Sequence, residues 1–87
     1  MDIISIKLTT GEETIGRLKE TTDDSIVLTK PMSFTVGQQG IGLGPFMFSL
    51  GRNTADVSVN KNNIIAMVKT DDLIAKEYIK QTSGLVV

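Results

Sequence analysis

Two segments of the chain place strand-like runs on both sides of a short polar turn, and apolar and polar residues alternate in most of these runs. Residues 3–18 form the first segment and residues 57–68 form the second. Alternation with a period of two is typical of β-strands that bury one face. A short chain with two such strand–turn–strand segments is predicted to fold as a small, strongly bent antiparallel β-barrel.

The residues between these segments predict further strands with several interruptions. Gly16 lies inside the second strand, where a glycine marks a sharp bend or a close approach of the backbone. Pro31 interrupts the next apolar run, which indicates an edge position or a bulge. Residues 37–45 contain four glycines and a proline. That composition predicts a loop or a hairpin tip.

Two later segments carry mainly apolar side chains. Phe46 and Phe48 alternate with their neighbours. Alternation favours a strand with both rings in the core, and base stacking by exposed rings is the less favoured alternative. Residues 64–68 are apolar at every position, which is typical of a strand buried on both faces.

The periodicity changes after residue 69. Thr70 is a candidate N-cap for a helix that begins with the favourable negative charges of Asp71 and Asp72. An apolar stripe with i, i+4 spacing follows, and we expect it to cover an open end of the barrel. The stripe consists of Ile74, Ala75, Tyr78 and Ile79.

The predicted fold class is therefore mainly β: a five-stranded, SH3-like antiparallel barrel with a C-terminal helix. One domain is expected to span residues 1–87, with the barrel over about residues 3–69 and the helix over about residues 71–82.

Composition removes most kinds of catalytic site. The chain has no cysteine and no histidine. This excludes zinc sites built from those residues, thiol catalysis and serine–histidine arrangements. No activated nucleophile or acid–base pair is visible, so we expect no enzyme, no cofactor and no metal site. Nine basic and ten acidic residues give a net charge of −1. A global basic field for nucleic acid is thus excluded, and any anion site must be local.

The expected location is the cytoplasm. No apolar run approaches the ~20 residues that a membrane-spanning helix needs. The first residues lack the basic region of a signal peptide.

The best candidate site is the polar turn at residues 60–63, named here the Asn-Lys turn. Asn60 and Asn62 carry amides that bond base edges, and Lys61 carries an ammonium that attracts phosphate. A plain hairpin turn explains the same residues equally well. Arg52 and Asp24 are secondary candidates near the turn. The alternative for each is a solvated turn residue.

The order of strands and turns resembles the Sm/LSm family, which includes bacterial Hfq, and is most similar to small Sm-like proteins of phage origin. The similarity covers residues 3–68. Gly16-Arg17-Leu18 and the acidic turn before Ile26 match the first family motif. In the second motif, Asn60-Lys61 replaces the family's Arg-Gly within an apolar frame, and Lys61 and Asn62 match the Hfq lysine and histidine.

The sequence also departs from the family. The family's base-contacting asparagine falls on Val27, and the family's helix usually precedes the first strand rather than following the last.

The resemblance implies a homo-oligomeric ring of about five to seven subunits, joined edge to edge. It also implies binding of single-stranded nucleic acid, preferably RNA, and a role in RNA or DNA processing. Asn60, Lys61 and Asn62 would line the rim or pore, with Arg52 and Asp24 nearby. The alternative is a structural or adaptor ring that binds a protein partner, in the cytoplasm of the host cell if the chain is phage-encoded.

Overall fold

The computed structural model describes residues 2–50 and 56–83, which form one antiparallel sheet and a C-terminal helix. No helix in this part of the chain has the length and apolar character needed to cross a bilayer. The strands are β1 (Ile3–Leu8), β2 (Glu13–Thr21), β3 (Ser25–Gly37), β4 (Gly40–Pro45), β5 (Asp56–Asn60) and β6 (Ile64–Lys69), and the helix is α1 (Asp72–Thr82).

The sheet has the order β4-β3-β2-β1-β6, and β5 also pairs with β3. The long strand β3 therefore has β2 along one edge and, along the other, β5 followed by β4. A single 3₁₀ turn, Lys61–Asn63, connects β5 to β6, so the two ends of the curled sheet are adjacent in the chain. The predicted mainly β, bent antiparallel barrel with a C-terminal helix is confirmed, with six described strands rather than five.

The additional strand is the glycine-rich segment, which the sequence predicted as a loop or hairpin tip. Only residues 38 and 39 form the turn, with Gly40 in the left-handed region at φ 112°. Residues 40–45 pair along their whole length with β3. The predicted hairpin tip is present at residues 38 and 39, but a loop over the whole segment was wrong because backbone pairing with a partner strand outweighs the weak strand preference of glycine.

The two phenylalanines have different surroundings. Phe46 packs against the core, as predicted. Phe48 begins the 3₁₀ turn Phe48–Leu50 and is 93% exposed, so its assignment to a core strand was wrong. The strand ends at Pro45, which has no N–H with which to continue a ladder.

The barrel interior is filled by buried aliphatic side chains from the three strands β1, β3 and β5. Its buried members are Ile4, Ile6, Ile26, Leu28 and Val59. Gly16 faces this interior: a Cβ atom built on it would lie 3.2 Å from Cβ of Leu28. The predicted close approach at this glycine is confirmed.

Strand β3 is kinked opposite Gly16. Arg17 pairs with Thr29 and Ile15 pairs with Met32, so Gly16 faces the two-residue bulge at residues 30 and 31. Lys30 adopts a left-handed conformation at φ 52°, which is rare for a residue with a side chain. The bulge predicted from Pro31 is confirmed.

Helix α1 is attached to the outer face of the sheet. Thr70 is buried and hydrogen bonds through its hydroxyl to Ser5 Oγ at 2.8 Å, and Ser5 alternates with the interior residues Ile4 and Ile6. The N-cap is Asp71, which accepts from the Leu73 and Ile74 amides, so the prediction of a Thr70 cap was wrong.

Tyr78 is the fully buried member of the predicted stripe. Its hydroxyl is 2.7 Å from the Lys30 carbonyl oxygen and 3.2 Å from that of Thr29, both at the kink in β3. Lys30 Nζ in turn donates to the Thr82 carbonyl at the end of the helix. Ile74 and Ile79 remain partly exposed. One aromatic side chain thus anchors the helix to the side of the sheet, whereas the sequence predicts an apolar stripe that covers an open end.

Strand β6 is exposed, although its sequence predicted burial on both faces. Ile65, Met67 and Val68 are 63%, 51% and 58% exposed. Within the described chain, β6 pairs only with β1 and ends the sheet. An apolar sequence indicates that a strand should be covered, but it does not show whether the cover comes from the same chain.

Gly16→Val is expected to destabilise the fold by about 1–3 kcal/mol, because the new side chain would overlap Leu28 in a packed interior. Gly42→Val is the matched control. A Cβ there is 3.5 Å from Thr35 Oγ1, an ordinary contact, so its stability should be nearly unchanged. Urea unfolding of both variants measures the difference. Equal stabilities would show that space at Gly16 is not limiting.

Tyr78→Phe is expected to lower the free energy of unfolding by about 1–2 kcal/mol, because it removes the donor to the partly buried carbonyl oxygens of Thr29 and Lys30. Burial raises the pKa of Tyr78 above 10.0, its ordinary value, with the Arg17 charge acting in the opposite direction. The folded state thus holds this proton more tightly than the unfolded state does. The stabilisation should be complete below the ordinary pKa and be lost as pH rises above it.

Urea unfolding as a function of pH, with Tyr78→Phe as the reference, checks this dependence. The chain has one tyrosine and no tryptophan, so tyrosinate absorbance reports this group directly. If stability declined equally in the two proteins above the ordinary tyrosine pKa, the pH dependence would not come from the Tyr78 hydroxyl.

Candidate nucleic-acid interface

The Asn-Lys turn has a defined local structure. Asn60 is extended, and its Oδ1 accepts a hydrogen bond from the Asn62 amide at 2.9 Å. Lys61–Asn63 complete one 3₁₀ turn, and the Ile64 amide donates to the Lys61 carbonyl. The oxygen of the Asn60 side chain therefore has a structural role, as the plain-turn interpretation predicts. The amide of Asn62 and the ammonium of Lys61 extend from an exposed surface.

Two other turns hold the Asn-Lys turn in place. The Lys61 amide donates to the Asp24 carbonyl oxygen at 2.8 Å, and the Thr9 amide donates to that of Asn63 at the same distance. The turn that contains Asp24 is closed by hydrogen bonds between Thr22 and Ser25. Three polar turns thus meet at one end of the barrel.

Four of the five predicted site residues lie together. Asn60, Lys61 and Asn62 are consecutive and exposed, and Asp24 is adjacent to them through the backbone hydrogen bond to Lys61. Arg52 lies outside the described residues. The proximity of Asp24, which the sequence indicated, arises because β3 and β5 pair so that Ser25 lies opposite Asn60.

A groove of about 580 Å³ opens beside the Asn-Lys turn. Asn60 and Asn63 line one part of it, and Phe46 and Met47 line another. The sequence does not assign Met47 to the site, and it favours the core for Phe46, with base stacking as the alternative. Their contribution depends on the path of the chain after β4, for which the local sequence carries no signal.

The charge around the turn is mixed. Lys61 contributes one ammonium, and the neighbouring turn contributes the exposed carboxylates of Asp23 and Asp24. The described residues contain no cluster of three or more acidic side chains suited to a metal ion.

The arrangement therefore offers amide donors and acceptors for base edges, one cation for phosphate, and a groove beside Phe46 and Met47 for a base. In comparisons with known proteins, no family model and no curated sequence matches the chain.

Asn60→Ala is expected to reduce stability by about 1 kcal/mol, because the Asn62 amide loses its capping acceptor. Asn62→Ala is the matched control, since it removes the same type of side chain and leaves the Asn60 cap intact. Thermal or urea unfolding measures both. If Asn62→Ala were the more destabilising, the capping role of Asn60 would be wrong.

Proposed function

We propose that the protein is an Sm-like, non-enzymatic module whose copies join edge to edge into a ring of about five to seven subunits. The ring would bind single-stranded nucleic acid, preferably RNA, on the Asn-Lys turns and serve RNA or DNA processing in the cytoplasm. The observation that carries the proposal is the exposed apolar strand β6 at an open edge of the sheet.

Open edges support the assembly step. In the described chain, β6 pairs only with β1, and β5 pairs only with β3, so each has an edge with free backbone groups. Ile65, Met67 and Val68 add apolar surface to the β6 edge. Such an edge invites uncontrolled pairing unless another copy covers it, and cyclic symmetry covers every edge.

The position of the Asn-Lys turn connects assembly to binding. The turn joins β5 directly to β6. If β5 of one copy pairs with β6 of the next, each junction in the ring carries one Asn-Lys turn. Lys61, which is a single weak cation in one protomer, then repeats around the ring and presents several cations to one strand of nucleic acid.

The assembly is tested by light scattering of the purified protein. We expect a mass of several protomers for the wild type and a marked shift towards protomer for Met67→Lys, which places a charge on the β6 edge. Leu73→Lys makes the same change on the exposed surface of α1 and should leave the mass unchanged. A wild-type mass equal to one protomer at high concentration would refute the ring.

Binding is tested by fluorescence anisotropy with short uridine-rich and adenine-rich oligonucleotides across a salt series. We expect salt-sensitive binding that Lys61→Ala weakens, with a shallower salt dependence. Lys76→Ala removes the same charge from α1 and should bind as the wild type does. Binding that is absent, or equal in the two variants, would remove the nucleic-acid part of the proposal and leave the assembly intact.

A structural or adaptor scaffold is the second candidate. The observation that favours it is the acidic balance around the turn, where Asp23 and Asp24 accompany Lys61. The ultraviolet spectrum of the assembled protein distinguishes the candidates. With one tyrosine and no tryptophan the protein absorbs weakly, so co-purified nucleic acid would dominate the spectrum.

A further inference from the structure

A second groove, here called the apolar groove, lies between α1 and the hairpin of β3 and β4. Its volume is about 600 Å³, within the range of ~300–1,000 Å³ that is typical of ligand-binding clefts. Glu12 also lines the groove beside the Asn-Lys turn, and the other residues that line the apolar groove do not. The apolar side chains in the lining of the apolar groove are Phe34, Val36, Ile41, Leu43, Leu73 and Ile74.

Strand register explains why the hairpin side of the groove is apolar. Phe34 pairs with Leu43, and Val36 pairs with Ile41. Cross-strand partners point to the same face, and residues two apart in a strand do so as well. The four side chains therefore form one continuous apolar surface facing α1.

The hairpin extends beyond the rest of the sheet. Ser33 is the last residue of β3 that pairs with β2, and from Phe34 onward β3 pairs only with β4. An isolated two-stranded hairpin is marginally stable in water, and this one leaves Val36 84% and Ile41 75% exposed. A partner that covers the apolar face of this hairpin would therefore stabilise it.

The rim of the groove is acidic. Glu12, Glu13 and Glu77 line it, against Lys7 as the basic member among its described residues. Lys7 and Glu13 are cross-strand partners, so their charges largely offset one another. Glu12 and Glu77 then remain as uncompensated carboxylates on the β1–β2 side and the helix side.

We propose that the apolar groove docks an amphipathic, basic segment of another protein. The apolar side chains of this segment fill the groove, and its lysines or arginines meet Glu12 and Glu77. The carboxylates disfavour nucleic acid and anionic lipid, since both carry negative charge. A two-fold contact between two copies would bring the acidic rims together, which disfavours a second copy.

The proposal is tested with a synthetic peptide of about 14 residues that carries leucines at i, i+3, i+4 and i+7 and lysines elsewhere. A peptide with glutamate in place of every lysine is its control. By fluorescence anisotropy, we expect the basic peptide to bind about tenfold or more tightly than the acidic one. Equal affinities for the two peptides, or no binding of the basic peptide, would overturn the proposal.

Variants of the protein test whether the peptide binds in the apolar groove. Val36→Thr combined with Ile41→Thr keeps strand-forming side chains at exposed positions. We expect this double variant to bind the basic peptide with about tenfold lower affinity. Ile79→Thr makes the same kind of change at an exposed position of α1 that does not line the groove, and it should have no effect on peptide affinity. Unchanged binding by the double variant would show that the peptide lies elsewhere and overturn the proposal.

A charge exchange gives an independent measurement. Glu12→Lys combined with Glu77→Lys should lower the affinity for the basic peptide and raise the affinity for the acidic peptide. A general loss of folding cannot produce this exchange. Retained preference for the basic peptide would overturn the role of these carboxylates. Self-association of the wild type that Val36→Thr with Ile41→Thr abolishes would assign the groove to a second copy and also overturn the proposal.

Discussion

The structure depends on the contact between the Tyr78 hydroxyl and the kink in β3. At the kink, Lys30 is left-handed, and residues 30 and 31 form the bulge where the carbonyl oxygens of Thr29 and Lys30 accept from Tyr78. Tyr78 supplies the donor that those oxygens need, from a side chain that is fully buried. Gly16, on the opposite strand, leaves room for the kink, because a side chain at this position would press against Leu28.

The kink also separates the two candidate binding surfaces. Before it, β3 pairs with β5 and leads to the Asn-Lys turn. After it, β3 pairs with β4 and forms the hairpin wall of the apolar groove. The helix that anchors the kink forms the opposite wall. One strand with two partners along the same edge thus supports a polar site and an apolar site that are chemically distinct.

Local patterns predicted much of the fold and part of the site. Gly16 and Pro31 were correctly interpreted because each restricts the backbone at its own position. Longer-range features were missed. Phe48 was assigned to the core, yet it is exposed because the strand stops at Pro45. The contributions of Phe46 and Met47 to the groove beside the Asn-Lys turn arise from chain segments that meet only after folding.

The amino-acid sequence by itself determined the alternating strands, the tight turns and the terminal helix, because these follow from side-chain periodicity and from the backbone limits of glycine and proline. Tertiary structure alone decided which edges remain open, where α1 docks and which apolar side chains line a groove. The physical reason is that burial depends on neighbours distant in the chain. An apolar strand such as β6 has the same sequence whether the chain or a partner covers it.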